Sequence, residues 1–153
     1  NGKTYFKTGT MGFVTEDGYF TITGRQSRFY IMSTLNKVYL DRIQNIISKF
    51  PNVLDCAIVK VPDKDKLYVN KAYIVLESNA DITTMKEEIL ARCKEPVEFS
   101  NGDTEQLKEY EIPTYIEFVS ELPRKKGTEK IDYTSLEEDA LKEIEKPKVY
   151  VKK

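Results

Sequence analysis

Apolar positions change their period several times along the chain, and each change marks an element. In the first 25 residues, short β-prone pieces (Tyr5 and Phe6, Phe13 and Val14, Tyr19 to Thr23) alternate with glycines. Asp17-Gly18, lying between two of these pieces, predicts a type I′ hairpin turn, which needs positive φ at both central residues. The expectation is a β-meander too short to own a core, leaning on something larger. From Arg28 the pattern differs. Phe29 to Met32 predicts a strand, and Leu40, Ile43, Ile47 and Phe50, with Ile46 widening the stripe, predict an amphipathic helix stopped by Pro51. Cys56 to Pro62 and Asn70 to Ser78 are apolar on both faces over part of their length and predict interior strands. Ile82, Met85, Ile89 and Cys93 predict a second helix over about 83–94. The polar stretch 95–106 reads as an extended loop, Tyr115 to Leu122 as a strand, and Ser135 to Glu145 as a last helix with an acidic start suited to its dipole.

The order after residue 28 is β-α-β-β-α-β-α, which predicts an α+β fold: a small sheet of about three strands with packed helices. The tail 146–153 carries four lysines and is expected to be a frayed end.

Composition narrows the function more than the fold. With 40% hydrophobic and 32% charged residues the chain has enough apolar material for one ordinary core. A formal charge of −1, with no basic stripe interleaved with aromatics, argues against a nucleic-acid partner. No apolar run approaches the length of a membrane span and no secretory leader is evident, so a cytoplasmic setting is expected. The chain has no histidine, which excludes Ser-His-Asp and Cys-His catalysis within it and removes the commonest transition-metal ligand; no metal site is expected. Cys56 and Cys93 each lie in an apolar pattern and read as buried small hydrophobes.

Without histidine, chemistry on phosphates needs lysine or arginine placed where negative charge develops. Two places qualify. One is Gly24-Arg25, at the seam between the meander and the α+β unit. The other is the stretch PRKKGTEKIDYTSL (Pro123 to Leu136), in which Lys125 and Lys126 lie at the tip of a bend at Gly127. Lys130 is followed by Ile131, an apolar anchor, so it is the lysine of the three most firmly held in place. At both places a solvated surface turn stays open as the alternative.

Several motifs in one order add to this reading. YFKTGTMGFVTEDGYFTITGR (Tyr5 to Arg25) is similar to the pattern Y-x-R/K-T-G-D-x-G-x-x-x-x-D-G-Y-x-x-x-x-G-R that closes the large domain of AMP-forming acyl-CoA synthetases and other adenylate-forming enzymes. KVYLDRIQNIISKFPNVLDCAIVKVPD and YEIPTYIEFVSELPRKKGTEKID resemble two later motifs of the same family, and the resemblance spans Tyr5 to Leu136. It implies that residues 1–27 are the terminal meander of a large N-terminal adenylation domain plus the hinge (Gln26, Ser27, Arg28), and that 28–145 is a mobile C-terminal domain. Such enzymes activate a carboxylate substrate with MgATP, bound mainly by the large domain, and then pass the acyl group to a thiol of coenzyme A or of a carrier protein. Lys130 then corresponds to the adenylation lysine, Arg25 to the arginine near ribose and phosphates, Thr10 to the ribose-binding position, and Thr34, Leu35 and Asn36 to the loop lining the thiol tunnel.

The chain departs from the pattern at defined places. Thr10 stands where the family has aspartate, Ser27 (or Arg28, if the gap is placed differently) where the hinge has aspartate, and Glu129 where a glycine precedes the catalytic lysine. A non-catalytic interaction or regulatory module with the same fold is the rival reading, and an unrelated α+β domain with a basic loop is a third.

Overall fold

The computed structural model describes residues 2–25 and 28–145. The expected hinge residues Gln26 and Ser27, and the basic tail, lie outside them.

The N-terminal meander is a two-stranded hairpin. β1 (Thr10–Val14) pairs antiparallel with β2 (Phe20–Arg25), while Tyr5 and Phe6 join no strand and are exposed. The expected type I′ turn does not form: only Gly18 has positive φ (85°), while Asp17 does not. The N–H of Gly18 donates to the Thr15 carbonyl at 2.9 Å and that of Thr15 to the Tyr19 carbonyl at 2.8 Å. This is a three-residue loop closed by a left-handed glycine, so a single residue carries the positive φ. Gly12 sits at a bulge where an added Cβ would meet the Thr21 carbonyl oxygen at 2.4 Å.

The α+β unit is built on β5 (Val53–Asp63) and β6 (Leu67–Leu76), a long antiparallel hairpin, with β9 (Tyr115–Phe118) added parallel to β6. Side chains alternate across the sheet, so one strand feeds two cores. Cys56, Ile58, Ala72 and Ile74 face α1 (Leu40–Ile47) and α2 (Ile82–Arg92), where Leu40, Ile43, Ile46, Ile47, Met85 and Ile89 are buried. On the opposite face Ala57, Val59, Tyr73 and Val75 pack against Leu136 and Ala140 of α3 (Tyr133–Glu145). The expected three-stranded sheet with packed helices is present, with helices on both faces.

Differences from the sequence expectation have local causes. The strand expected to reach Leu122 stops at Phe118. The third helix begins at Tyr133 rather than Ser135, because Asp132 accepts from the Ser135 hydroxyl (2.8 Å) and main-chain N–H (3.3 Å) and so caps the helix earlier. Ile82, expected in the buried stripe, is the first residue of α2 and is exposed. Three short strands were not anticipated: β4 (Lys37–Tyr39), which pairs with β3 (Phe29–Ile31), and β7 (Val97–Glu98) with β8 (Thr104–Glu105), which replace the expected loop.

β5 lies at an edge of the sheet, and its main chain is partly satisfied by side chains. The Ile58 carbonyl accepts from Arg28 Nη1 (2.7 Å) and the Ile58 N–H donates to Gln44 Oε1 (3.3 Å).

Candidate active site

The basic stretch after β9 folds back on itself. The Asp132 N–H donates to the Pro123 carbonyl (2.8 Å), Arg124 and Ile131 form an antiparallel bridge, and the Lys125 N–H donates to the Lys130 carbonyl (3.0 Å). Gly127, at φ 73°, turns the tip with open space around it. Lys130 therefore stands on the returning limb of a closed loop rather than on a loose one. Its N–H also donates to Thr128 Oγ1 at 3.3 Å.

Side chains fasten both ends of this loop. At the start, Arg124 Nη2 lies 2.6 Å from Asp55 Oδ2, and Nη1 donates to the Glu129 carbonyl. At the end, hydrogen bonds from the Ser135 hydroxyl and N–H, with the charge of Lys125 nearby, hold the Asp132 carboxyl below the usual carboxylate range.

A cavity of about 530 Å³ opens beside this loop. Arg25, Arg124, Lys125 and Lys130 bring positive charge to it, and Asp41, Glu129 and Tyr133 complete much of its wall. Arg25 reaches it from the end of β2, and Thr10 is Arg25's cross-strand partner in the hairpin. The residues expected near ribose and phosphates are thus neighbours, and one of them shares a cavity with Lys130. Glu129, standing where the family has a glycine, lines that cavity too.

Arg28 also borders the cavity but is committed elsewhere. It is buried, with Nε 2.9 Å from Asp41 Oδ1, Nη1 on the Ile58 carbonyl at 2.7 Å and Nη2 on Gln44 Oε1 at 3.1 Å. Burying this charge is tolerable because every nitrogen has an acceptor and one acceptor is anionic. Arg124, Asp41, Gln44 and Tyr133 were not singled out from the sequence. Asp132 followed three residues later by Ser135 is a helix-start pattern that could have located this end of the loop.

Thr34, Leu35 and Asn36 lie elsewhere. They form the β3–β4 turn, which rests on the β5–β6 turn through Ser33: its N–H donates to the Lys66 carbonyl at 3.2 Å and its hydroxyl to the Asp65 carbonyl at 3.0 Å. Asp55, which holds the Lys130 loop, is near the other end of β5, roughly 26 Å away at strand rise. Leu35 is exposed and held at φ 62°, a left-handed conformation.

A second charged cluster lies under α3. Lys71, buried on β6, donates to Glu117 (2.6 Å) and Glu143, and its ammonium is 4.5 Å from the Tyr73 ring centroid. Glu117, Asp139 and Glu143 bring carboxylate oxygens within 4.8 Å of one another, but the Lys71 ammonium already binds two of them. Cys56 and Cys93 are free and buried, and burial pushes both thiols up. Among the described residues no helix is long and apolar enough to cross a membrane.

Comparison with known proteins decides the family, since residues 42–130 match the model of the AMP-binding enzyme C-terminal domain. The chain belongs to that family. Among relatives of this AMP-binding C-terminal domain is YdaB of Bacillus subtilis (strain 168), whose name proposes an acyl-CoA ligase. It is 38% identical over 120 residues, which are 78% of this chain and 21% of YdaB. The 2-succinylbenzoate–CoA ligase of Bacillus licheniformis is 31% identical over 78% of this chain and 22% of its own length. Among solved structures, the anthranilate CoA ligase AuaEII in complex with anthranoyl-AMP superposes with TM-score 0.69 at 28% identity, covering 87% of this chain and 23% of that one. The chain spans about a fifth of the length of the curated relatives it matches.

Proposed function

We propose that this AMP-binding C-terminal domain serves an AMP-forming acyl-CoA ligase, supplying the lysine of the adenylation step and then turning to present its other end to the thiol. The observation that carries the reading is the shared cavity of Arg25 and Lys130, with Thr10 across the hairpin from Arg25. In adenylation a carboxylate oxygen attacks the α-phosphorus of ATP and pyrophosphate leaves. Two anions must meet, and a fixed ammonium beside them lowers the barrier without any proton transfer. Lys130, held on its closed loop, is suited to that place. Arg25 would neutralise neighbouring phosphate charge, and the Thr10 hydroxyl would make one hydrogen bond to ribose where the family aspartate makes two. A thiol then attacks the acyl carbonyl and AMP leaves.

Magnesium would accompany ATP. The cavity does not fit as a metal cage: of its two carboxylates, Asp41 is already paired with Arg28. The ion would be held by the phosphates and by groups outside this chain, as would the acyl substrate.

The separation of the Lys130 loop from the Thr34–Asn36 loop along β5 supports a rigid turn of the domain between half-reactions. The bonds that tie Arg28 to α1 and β5 favour a swivel upstream of it, toward Gln26 and Ser27. Coenzyme A is the favoured thiol, because 2-succinylbenzoate–CoA ligase and anthranilate CoA ligase are named for it. The buried free thiols suit the cytoplasm.

The test is carboxylate-dependent ATP–pyrophosphate exchange by the enzyme carrying this domain. Exchange that falls by orders of magnitude in Lys130→Ala supports the reading; unchanged exchange overturns it. Glu129 in the cavity favours the regulatory alternative, for which neither ATP nor an acyl-adenylate mimic would bind on titration.

A further inference from the structure

The loop that carries Lys130 runs into α3, whose first residue makes a contact no motif announces. Tyr133 opens α3 three residues after it, and the Tyr133 ring lies beneath the Arg28 guanidinium, 3.6 Å from the central carbon to the ring centroid. The Tyr133 hydroxyl donates to Gln44 Oε1 at 3.0 Å, and the same oxygen accepts from Arg28 Nη2 (3.1 Å) and the Ile58 N–H (3.3 Å). Arg28 is further fixed by Asp41 and by the Ile58 carbonyl. Arg28 and Gln44, the polar partners of Tyr133, are thus tied to α1 and β5.

This arrangement distinguishes Arg28 from the other cations of the cavity. Its side chain is 7% exposed and each of its three nitrogens is engaged, whereas Lys130 and Arg25 are exposed. Arg28 is poorly placed to take a phosphate and well placed to carry position. Through its bonds to Asp41, Gln44 and the Ile58 carbonyl and its stack on Tyr133, it joins the root of the lysine loop to α1 and β5.

Resting on the adenylation role proposed for Lys130, we infer that Arg28 and Tyr133 are positioning residues for that lysine. Their stacked pair sets where the loop meets α3, and so where the ammonium stands when the acyl adenylate forms. The thiol-transfer step, which draws on the opposite end of β5, does not use them.

The experiment measures the two half-reactions separately in the full-length enzyme: pyrophosphate exchange for adenylation, and transfer from preformed acyl adenylate to coenzyme A. Tyr133→Leu should lower the exchange kcat by about 100-fold, since a misplacement near 1 Å costs that much, with transfer unchanged. Tyr133→Phe, which keeps the ring under Arg28, should recover exchange to within about three-fold of the wild type. Added to Lys130→Ala, Tyr133→Leu should cost nothing further, because the group it positions is gone. Arg28→Lys, which keeps the charge and loses the fork, should show the same exchange-only loss and carries the test if Tyr133→Leu does not fold. Equal losses in both half-reactions, no loss in exchange, or a further loss on the Lys130→Ala background would each overturn the inference. If Lys130→Ala abolishes exchange while Tyr133→Leu keeps it, positioning alone fails. If Lys130→Ala keeps full exchange, the reading beneath it fails as well.

Discussion

Arg124 and Asp55 form an ion pair, Nη2 to Oδ2 at 2.6 Å, that ties the start of the Lys130 loop to the beginning of β5. Both side chains are partly exposed, so the pair should contribute little to global stability, within about 1 kcal/mol. Its effect should fall on the loop. Asp55→Ala and Arg124→Ala are each expected to leave the denaturation midpoint nearly unchanged and to slow pyrophosphate exchange by about ten-fold. The double variant should lose no more than either single one, as a double-mutant cycle would reveal.

Leu35 occupies a backbone conformation that suits glycine. A left-handed residue with a Cβ costs roughly 1–2 kcal/mol, and glycine returns part of this through the greater freedom of its unfolded chain. Leu35→Gly should therefore raise stability by up to about 1 kcal/mol, read from chemical denaturation. If the loop lines the thiol path, the same change should lower the KM for coenzyme A and leave pyrophosphate exchange alone.

Burial by itself would lower the Lys71 pKa, but Glu117 and Glu143, with help from Tyr73, hold it above the usual ammonium range. A raised ammonium stabilises the fold fully below its unfolded pKa, near 10.4, and loses that contribution as pH rises through the folded value. Its carboxylate partners are part-exposed, so solvent screens the pair. Lys71→Met should cost about 1–2 kcal/mol at neutral pH, and the gap to wild type should close in strongly alkaline solution.

Asp132 works in the opposite sense. Its carboxyl is held below the ordinary range by Ser135 and Lys125, so its contribution is present above the unfolded pKa and is lost as pH falls through the lower folded value. Asp132→Ala should lower the melting temperature at neutral pH by removing the α3 cap. The two proteins should converge in acid, below a pH of about 4.

The long strands around Cys56–Pro62 and Asn70–Ser78 were readable because both faces of each are apolar, a pattern that few other elements produce. The β4, β7 and β8 strands were not, since two or three residues cannot display a period. The Asp17-Gly18 signal located the hairpin but not its turn type, which depends on whether one or both residues take positive φ. At the site, the motif series drew attention to Lys130 and Arg25. What holds Lys130 was invisible, because Arg28 meets Asp41, Gln44, Ile58 and Tyr133 across separations that only the folded chain closes.

Gln44 and Arg28 also act on β5 in a way unrelated to the proposed catalysis. An edge strand offers unpaired N–H and C=O groups to any passing chain, and at Ile58 both groups are already taken by side chains. Midway along its free edge, the longest strand among the described residues is closed to a further strand by a glutamine and an arginine. Replacing them would therefore do more than loosen a loop. It would reopen a template for strand addition, and so for edge-to-edge self-association.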